Sequence, residues 1–288
     1  MKKNKNLLFA LWSAGIIFCV ILSFFALFFS ACAKTEEETP SDENNFVIES
    51  EPPESAAPTD APLPSNPPVE NTDPPVYTAP TRLGTTPDAG REYLDKIIFL
   101  GDSTTYGIGV YYGYGFTDLC PSTQVWTPAS GTLTLSYYNI ATIVYPETGE
   151  ELTIVDAVKR AKPEIRVITL GVNGISFMDE EWFIRDYTAL VDSIKDASPD
   201  TKIILNSIYP VAASYKHQGD INNDKIRAAN TWIERIAEAT GSRYLHSFES
   251  LVGADGYLPE SSQNGDGLHL NGESFGTVMN YIRTHAYQ

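Results

Sequence analysis

From Arg91 to the end of the chain, short apolar runs alternate with segments whose apolar residues recur three and four positions apart. The runs predict strands at 96–100, 123–126, 166–170, 202–208 and 243–248, and the periodic segments predict helices at 154–161, 180–197, 223–240 and 273–285. Strands that alternate with helices are typical of a sheet covered by helices on both faces. We therefore expect residues 91–288 to form one α/β domain.

Capping residues support these boundaries. Asn222 precedes the third predicted helix as a candidate N-cap, and Gly241 follows that helix as a candidate stop. The pair Ser198-Pro199 ends the second predicted helix. Residues 137–151 contain a proline and a glycine and predict an inserted β-hairpin.

The first part of the chain has a different pattern. Three lysines within residues 1–5 precede an almost unbroken apolar run at 7–29, long enough to span a bilayer or to form a secretory signal. Because positive flanks stay inside, the residues that follow are expected outside the cytoplasm. The run ends at Phe29-Ser30-Ala31-Cys32, which resembles the lipobox of bacterial lipoproteins and implies lipidation of Cys32. An uncleaved anchor with an incidental Cys32 is the alternative, and residues 1–32 are a signal peptide or membrane anchor in either case.

Residues 33–90 are rich in Pro, Glu, Asp, Ser and Thr and contain few large apolar side chains. Such a segment cannot bury enough apolar surface to fold. Pro-Pro pairs and like charges keep it extended, with a contour on the order of 150 Å at about 3 Å per residue. We expect a disordered linker between the anchor and the domain.

The first predicted strand ends in residues with catalytic potential. The chain reads KIIFLGDSTTYGIG from Lys96 to Gly109, so that Gly101 permits a tight turn and Ser103 stands where a helix should begin. A serine at the carboxyl end of a central strand lies in the crevice where open α/β sheets bind ligands. Taken alone, Gly-Asp-Ser is explained first as a turn with a helix cap.

Two distant segments change that interpretation. The strand at 166–170 is followed by Gly171-Val172-Asn173-Gly174, and the chain later reads GDGLHLNG from Gly265 to Gly272. In this order, the three blocks resemble the SGNH hydrolases, also called the GDSL esterase and lipase superfamily. The resemblance covers roughly the last 200 residues, about the size of one domain. It implies a three-layer α/β/α, flavodoxin-like fold with a mainly parallel five-stranded sheet.

The blocks contain the side chains that acyl transfer needs. A serine hydroxyl becomes a good nucleophile when a base removes its proton, and histidine suits that task near neutral pH. Of the four histidines, only His269 has a carboxylate at a useful fixed offset, namely Asp266 in a glycine-flanked loop. We therefore predict a catalytic triad of Ser103, His269 and Asp266. Without the serine block, the last two would be explained as a loop ion pair or a helix cap.

The developing negative charge on the carbonyl oxygen needs preorganised donors. The predicted oxyanion hole combines the N–H groups of Ser103 and Gly131 with the side-chain amide of Asn173. Gly131 is chosen because it follows the strand at 123–126, and Gly115 is the competing choice.

The chain departs from the usual SGNH pattern in two places. Thr104 replaces the apolar residue that commonly follows the nucleophile, and Gly174 replaces the acid that often follows the asparagine. Asp102 resembles the acid of the first block, which braces the site, and it is given no role in proton transfer.

Composition excludes other classes of protein. The net charge is −17 and no basic patch appears, which argues against nucleic-acid binding. Of Cys19, Cys32 and Cys120, only the last lies in the predicted domain, so neither an intradomain disulfide nor a zinc site built on cysteine pairs can be drawn. No cofactor and no metal are expected.

Together these observations predict an extracytoplasmic, membrane-tethered serine esterase that removes short acyl groups, chiefly acetyl, from carbohydrate or cell-wall polysaccharide. A non-catalytic glycan-binding module and an O-acyltransferase with the same triad are the alternatives. Aromatic side chains near the predicted loops suit stacking on sugar rings, and core packing explains several of them equally well. They are Tyr106, Tyr111, Tyr112, Tyr114, Trp126, Tyr137, Tyr138, Trp182 and Tyr209.

Overall fold

The computed structural model describes residues 81–288, so the predicted anchor, Cys32 and most of the predicted linker lie outside the described residues. Apolar, β-branched runs form a sheet of five strands, in which all neighbours are parallel. These strands are β1 Ile97–Gly101, β2 Val125–Trp126, β5 Ile165–Thr169, β6 Lys202–Asn206 and β7 Arg243–Leu245. Their order is β2-β1-β5-β6-β7, which is the flavodoxin-like order.

Helices cover both faces of this sheet and complete the predicted three-layer fold. The helices are α1 Gly90–Leu94, α2 Ser103–Gly113, α3 Ile154–Ala161, α4 Glu180–Ala197, α5 Asn223–Thr240 and α6 Gly272–Thr284. One face of the sheet packs against α3, α4 and α5, and the other packs against α1, α2 and α6. None of the helices within residues 81–288 combines the length and the apolarity needed to cross a membrane.

The helix boundaries follow from the caps. Asn222 Oδ1 accepts hydrogen bonds from the N–H groups of Asp224 and Lys225 at 3.1 and 3.0 Å, and Gly241 ends α5 with φ at 63°. The strands β6 and β7 end earlier than predicted. At their ends, buried serine hydroxyls and the side-chain amide of Asn206 form hydrogen bonds with one another. Ser247 Oγ donates to Asn206 Oδ1 at 2.6 Å.

The inserted hairpin is also present. Strands β3 Thr142–Val144 and β4 Glu151–Thr153 pair antiparallel, slightly later in the chain than predicted. The hairpin is attached to the end of β2, since the N–H of Val144 donates to the carbonyl of Thr127 at 3.0 Å. It therefore stands beside the carboxyl edge of the main sheet.

The domain begins before Arg91, because residues 81–89 already belong to it. The N–H of Leu83 donates to Tyr244 O at 2.8 Å, and the N–H of Tyr244 donates to Thr81 O at 2.9 Å. This bridge runs parallel to β7, and Arg82 forms an ion pair with Glu234 at 2.6 Å. Residues 81–83 consequently extend the sheet beyond β7, its last strand, and β5 and β6 separate that strand from β1.

Gly101 allows α2 to start directly above the end of β1. A Cβ at this position would overlap Thr105 Oγ1 and would lie 2.6 Å from Thr169 O, an atom of the neighbouring strand. No side chain larger than hydrogen fits, so this residue fixes where Ser103 stands relative to the sheet.

We expect Gly101→Ala to lower the free energy of unfolding by about 1–3 kcal/mol, because the added methyl group overpacks the junction. Gly276→Ala is the matched control, since Gly276 lies within α6 with open space around it. This control should raise stability by about 0.5–1 kcal/mol through helix propensity. Urea denaturation of both variants measures the difference, and equal effects would contradict the close approach at Gly101.

Candidate active site

Three loops at the carboxyl edge of the sheet bring the predicted site residues together. Ser103 is the first residue of α2, and Asp102 alone separates it from β1. Asn173 lies in the loop after β5, the strand paired with β1. His269 lies in the segment just before α6, a helix that packs against α2.

Ser103, His269 and Asp266 form a continuous chain of hydrogen bonds. His269 Nε2 lies 2.8 Å from Ser103 Oγ, and His269 Nδ1 lies 2.6 Å from Asp266 Oδ2. The side chains of His269 and Asp266 are 27% and 47% exposed, so the site is open to solvent at this end. The geometry is that of a base oriented by a carboxylate and within reach of a hydroxyl.

The loop that carries Asp266 is held by its own hydrogen bonds. Asp266 Oδ1 accepts the N–H groups of Leu268 and His269 at 2.8 and 2.9 Å. Partial burial alone would raise the pKa of Asp266, but the bonds from the His269 ring and these backbone groups outweigh it and lower the pKa below its usual value. A lowered pKa keeps the carboxylate ionised as a partner for the imidazole.

Gly267 lets this loop reach the domain. Its φ is 82°, and a Cβ there would lie 2.7 Å from Tyr215 Cα. Its carbonyl accepts the N–H of Ala212 at 2.8 Å. The close approach fixes the loop beside the segment that follows β6.

Asp102 is fully buried between the nucleophile and the asparagine. Its Oδ1 accepts the N–H of Thr104 at 2.9 Å and the hydroxyl of Thr104 at 2.7 Å. Its Oδ2 accepts Nδ2 of Asn173 at 3.3 Å. Burial raises the pKa of Asp102 to about 6, against the lowering effect of the bonds from Thr104 and of the nearby His269.

The Asn173 amide makes two long contacts. Besides Asp102, Nδ2 donates to the carbonyl of Leu133 at 3.2 Å. The carboxylate thus fixes one hydrogen of the amide, and the second hydrogen points to a loop carbonyl beside the crevice. The sequence did not predict the hydrogen bond from Thr104 to Asp102 or the one from Asn173 to Leu133. A hydroxyl directly after the acid and the serine was the available signal for Thr104.

Gly131 does not present the expected donor. Its N–H is used within a turn, where it donates to Pro128 O at 2.8 Å, and its φ of 73° closes that turn. The N–H of Gly115, the competing choice, donates to Tyr112 O at 3.0 Å. In this conformation neither glycine has a free N–H for an oxyanion, which corrects the prediction made for Gly131.

The second departure from the family pattern has a packing reason. Gly174 lies in a tight turn in which its N–H donates to Gly171 O at 2.8 Å. A Cβ at Gly174 would lie 2.8 Å from Met178 Sδ, so a larger residue would displace a buried side chain.

The described part of the chain also shows how potential metal ligands and its cysteine are arranged. Residues 81–288 contain no group of three His, Cys, Asp or Glu side chains arranged to hold a metal ion. Cys120 is buried, and burial raises the pKa of its thiol to about 12. A thiol that stays protonated is a weak nucleophile.

A groove of about 640 Å³ runs along the outer side of α2, between that helix, β2 and the hairpin. Its lining combines apolar side chains with hydroxyls and contains no charged residue. Tyr106 and Tyr114 are 53% and 76% exposed, and Tyr106 lies one helical turn after Ser103. The lining residues include Tyr106, Val110, Tyr114, Val125, Thr127 and Val144.

A flavodoxin-like α/β/α domain with a Gly-Asp-Ser block after its first strand is the architecture of SGNH hydrolases. Residues 99–274 match the model of the GDSL-like Lipase/Acylhydrolase family. The chain belongs to this family and is a carboxylic ester hydrolase, as its motifs predicted. No curated protein matches the chain.

Solved structures with similar folds come from bacteria and fungi. A GDSL-like lipase from Bacteroides thetaiotaomicron is 18% identical, with a TM-score of 0.46 over 66% of this chain and 87% of that one. A carbohydrate esterase family 3 protein from Talaromyces cellulolyticus is 19% identical, with a TM-score of 0.43 over 65% and 93%. An acetyl-xylooligosaccharide esterase from Geobacillus is 16% identical, with a TM-score of 0.40 over 67% and 94%. These likenesses assign neither a substrate nor a residue role here.

The buried carboxyl of Asp102 should make stability depend on pH. Its pKa is about 6 in the folded protein against 3.8 ordinarily, so the folded state gains stability below that range and loses it as pH rises through about 4 to 6. Asp102→Asn removes this dependence. The free energy of unfolding of the variant minus that of the parent should therefore increase by about 3 kcal/mol from pH 4 to pH 7. Urea denaturation across this range measures it, and a constant difference would contradict the raised pKa.

Proposed function

We propose that the protein is a serine esterase in which Ser103 is the nucleophile, His269 the base and Asp266 the residue that orients the base. The observation that carries this proposal is the unbroken chain from Ser103 Oγ through the His269 ring to Asp266, with contacts of 2.8 and 2.6 Å. Membership of an acylhydrolase family supports the same reaction. A binding module would have no need of this alignment.

The reaction proceeds through an acyl-enzyme. Ser103 Oγ bonds to the carbonyl carbon while its proton moves to His269 Nε2, and the Nδ1 hydrogen stays bonded to Asp266. When the tetrahedral intermediate collapses, the ester C–O bond breaks and the leaving alcohol takes the proton from His269. Water then attacks the acyl-enzyme with His269 again as base, which releases the acid and restores the serine.

The negative charge on the carbonyl oxygen is stabilised by two donors. Ser103 is the first residue of α2, so its N–H has no acceptor within the helix and points from the positive end of the helix dipole. The second donor is the Asn173 hydrogen that contacts Leu133 O, which donates to the substrate oxygen while the other hydrogen stays on Asp102 Oδ2. A glycine N–H from residues 128–133 joins them only if that turn opens.

The substrate proposed is a short acyl ester, chiefly an acetate, on a neutral carbohydrate. The groove along α2 supports this class, because its apolar side chains suit the C–H faces of sugars and its hydroxyls suit their oxygens. No residue of the proposed triad lines this groove, and Tyr106, one helical turn after Ser103, is its lining residue nearest to the nucleophile along α2. The absence of charged lining residues from this groove favours a neutral ligand.

We further propose that the enzyme works outside the cytoplasm, tethered to the membrane through residues 1–32. The support is the lysine-flanked apolar run that ends at Cys32. Acetylated cell-wall and environmental polysaccharides are the esters that such an enzyme meets.

Ser103→Ala should lower the turnover of an aryl acetate at least about a thousandfold, because the nucleophile is lost while binding remains. A serine-directed phosphonate should label the parent at Ser103 and leave this variant unlabelled. Ser193→Ala, on α4 and away from the crevice, is the control and should keep full activity. Unchanged hydrolysis in Ser103→Ala would refute the proposal, and acetate that appears on an added sugar instead of in water would indicate an acyltransferase.

Tyr106→Ala should raise KM about tenfold for an acetylated xylo-oligosaccharide, through the lost stacking surface. The KM for the aryl acetate, which is too small to reach along the groove, should stay within about twofold. Tyr257→Ala, an exposed tyrosine that does not line this groove, is the control. Steady-state kinetics on both substrates makes the comparison, and equal changes in KM would remove the groove from the substrate site.

A further inference from the structure

Thr104 makes a contact that an apolar residue at its position could not make. Its hydroxyl donates to Asp102 Oδ1 at 2.7 Å, beside the backbone N–H of the same residue at 2.9 Å. The threonine is 6% exposed and Asp102 is fully buried, so water does not replace this bond. The side chain that departs from the usual pattern thus binds the acid of the first block.

The opposite oxygen of the same carboxylate faces the oxyanion amide. Asp102 Oδ2 accepts Nδ2 of Asn173 at 3.3 Å, which orients the amide with its nitrogen toward the crevice. The other hydrogen of Asn173 Nδ2 donates to Leu133 O, and it is the one proposed to bind the substrate oxygen. Hydroxyl, carboxylate and amide therefore form a line from the first turn of α2 to the oxyanion hole.

We propose that the Thr104 hydroxyl is a positioning group for catalysis, which keeps the Asp102 carboxylate an acceptor so that this carboxylate holds the Asn173 amide in its productive orientation. This inference rests on the proposed esterase function and adds to it a residue that never touches the substrate.

The reason is electrostatic. A carboxylate buried in this way is close to taking up a proton, since burial raises the pKa of Asp102 to about 6 and the Thr104 bonds oppose that rise. Because Oδ1 already accepts two donors from Thr104, a proton taken up by Asp102 would go to Oδ2, where the Asn173 amide also offers a donor. The contact with Asn173 would then weaken. The Thr104 hydroxyl therefore widens the pH range in which the oxyanion amide stays oriented.

The other titratable groups that face Asp102 come from three elements. His269 lies before α6, Tyr187 lies on α4 and Tyr209 follows β6. Burial raises the pKa of both tyrosines, so they remain neutral. His269, the proposed base, lowers the pKa of Asp102 by its charge.

Thr105 provides a matched control in the same turn of α2. It is 1% exposed, and its Oγ1 is buried with no hydrogen-bond partner among the described residues. Thr105→Val and Thr104→Val thus remove the same hydroxyl from neighbouring buried positions, and only the second change touches Asp102.

The test is the pH dependence of kcat for an aryl acetate in the full-length chain, with Thr104→Val, Thr104→Ser and Thr105→Val compared with the parent. A hydrogen bond to a charged group corresponds to about one pH unit or more, so the acid limb of Thr104→Val should move upward by about one unit. Its kcat should approach the parent value above about pH 8. Thr104→Ser, which keeps the hydroxyl, should restore the parent profile, and Thr105→Val should not change it.

Three results would overturn the proposal: an unshifted acid limb in Thr104→Val, a loss of kcat that is equal at every pH, or the same shift in Thr105→Val. Thermal unfolding of each variant shows whether it is folded, and Thr104→Ser provides the folded comparison if the valine variant is unstable. Failure of the esterase function itself is distinguishable, because the parent would then hydrolyse no ester at any pH.

Discussion

The rest of the site depends on a carboxylate placed where water cannot reach it. Asp102 caps the first turn of α2 and so fixes the residue after it, Ser103, at the end of the central strand. Its second oxygen fixes Asn173, which belongs to the neighbouring loop. One buried side chain thereby sets the distance between a hydroxyl and an amide that follow separate strands. Burying a carboxylate lowers the stability of the folded protein. The fold keeps this unfavourable group at the site, where Ser103 and Asn173 need fixed positions.

Much of the fold could be predicted from local signals. The limits of α3, α4 and α5 follow from caps such as Asn222 and from glycines such as Gly241, because a cap acts through neighbouring residues alone. The ends of β6 and β7 could not be predicted in this way. They depend on a bond between Asn206 and Ser247, which are distant in sequence and meet only when both strands are in place.

The predicted site shows the same division. The positions of Ser103, His269 and Asp266 follow from an ordered set of short blocks, and the structure brings these side chains into contact. The glycine donor was misjudged because a turn carbonyl, on Pro128, competes for its N–H. Thr104 departs from the SGNH pattern in its sequence, but its hydroxyl meets Asp102 only through the turn that the fold builds between β1 and α2.

The parallel bridge between Thr81–Leu83 and β7 has a practical consequence. Residues 81–83 lie along β7, the last strand of the sheet, and β5 and β6 separate that strand from β1, after which the serine stands. A bead, electrode or fusion partner coupled at Thr81 would therefore sit on the flank of the domain, with two strands between it and the strand that carries the nucleophile. Immobilisation at that residue should leave bulky polymers free to reach the serine.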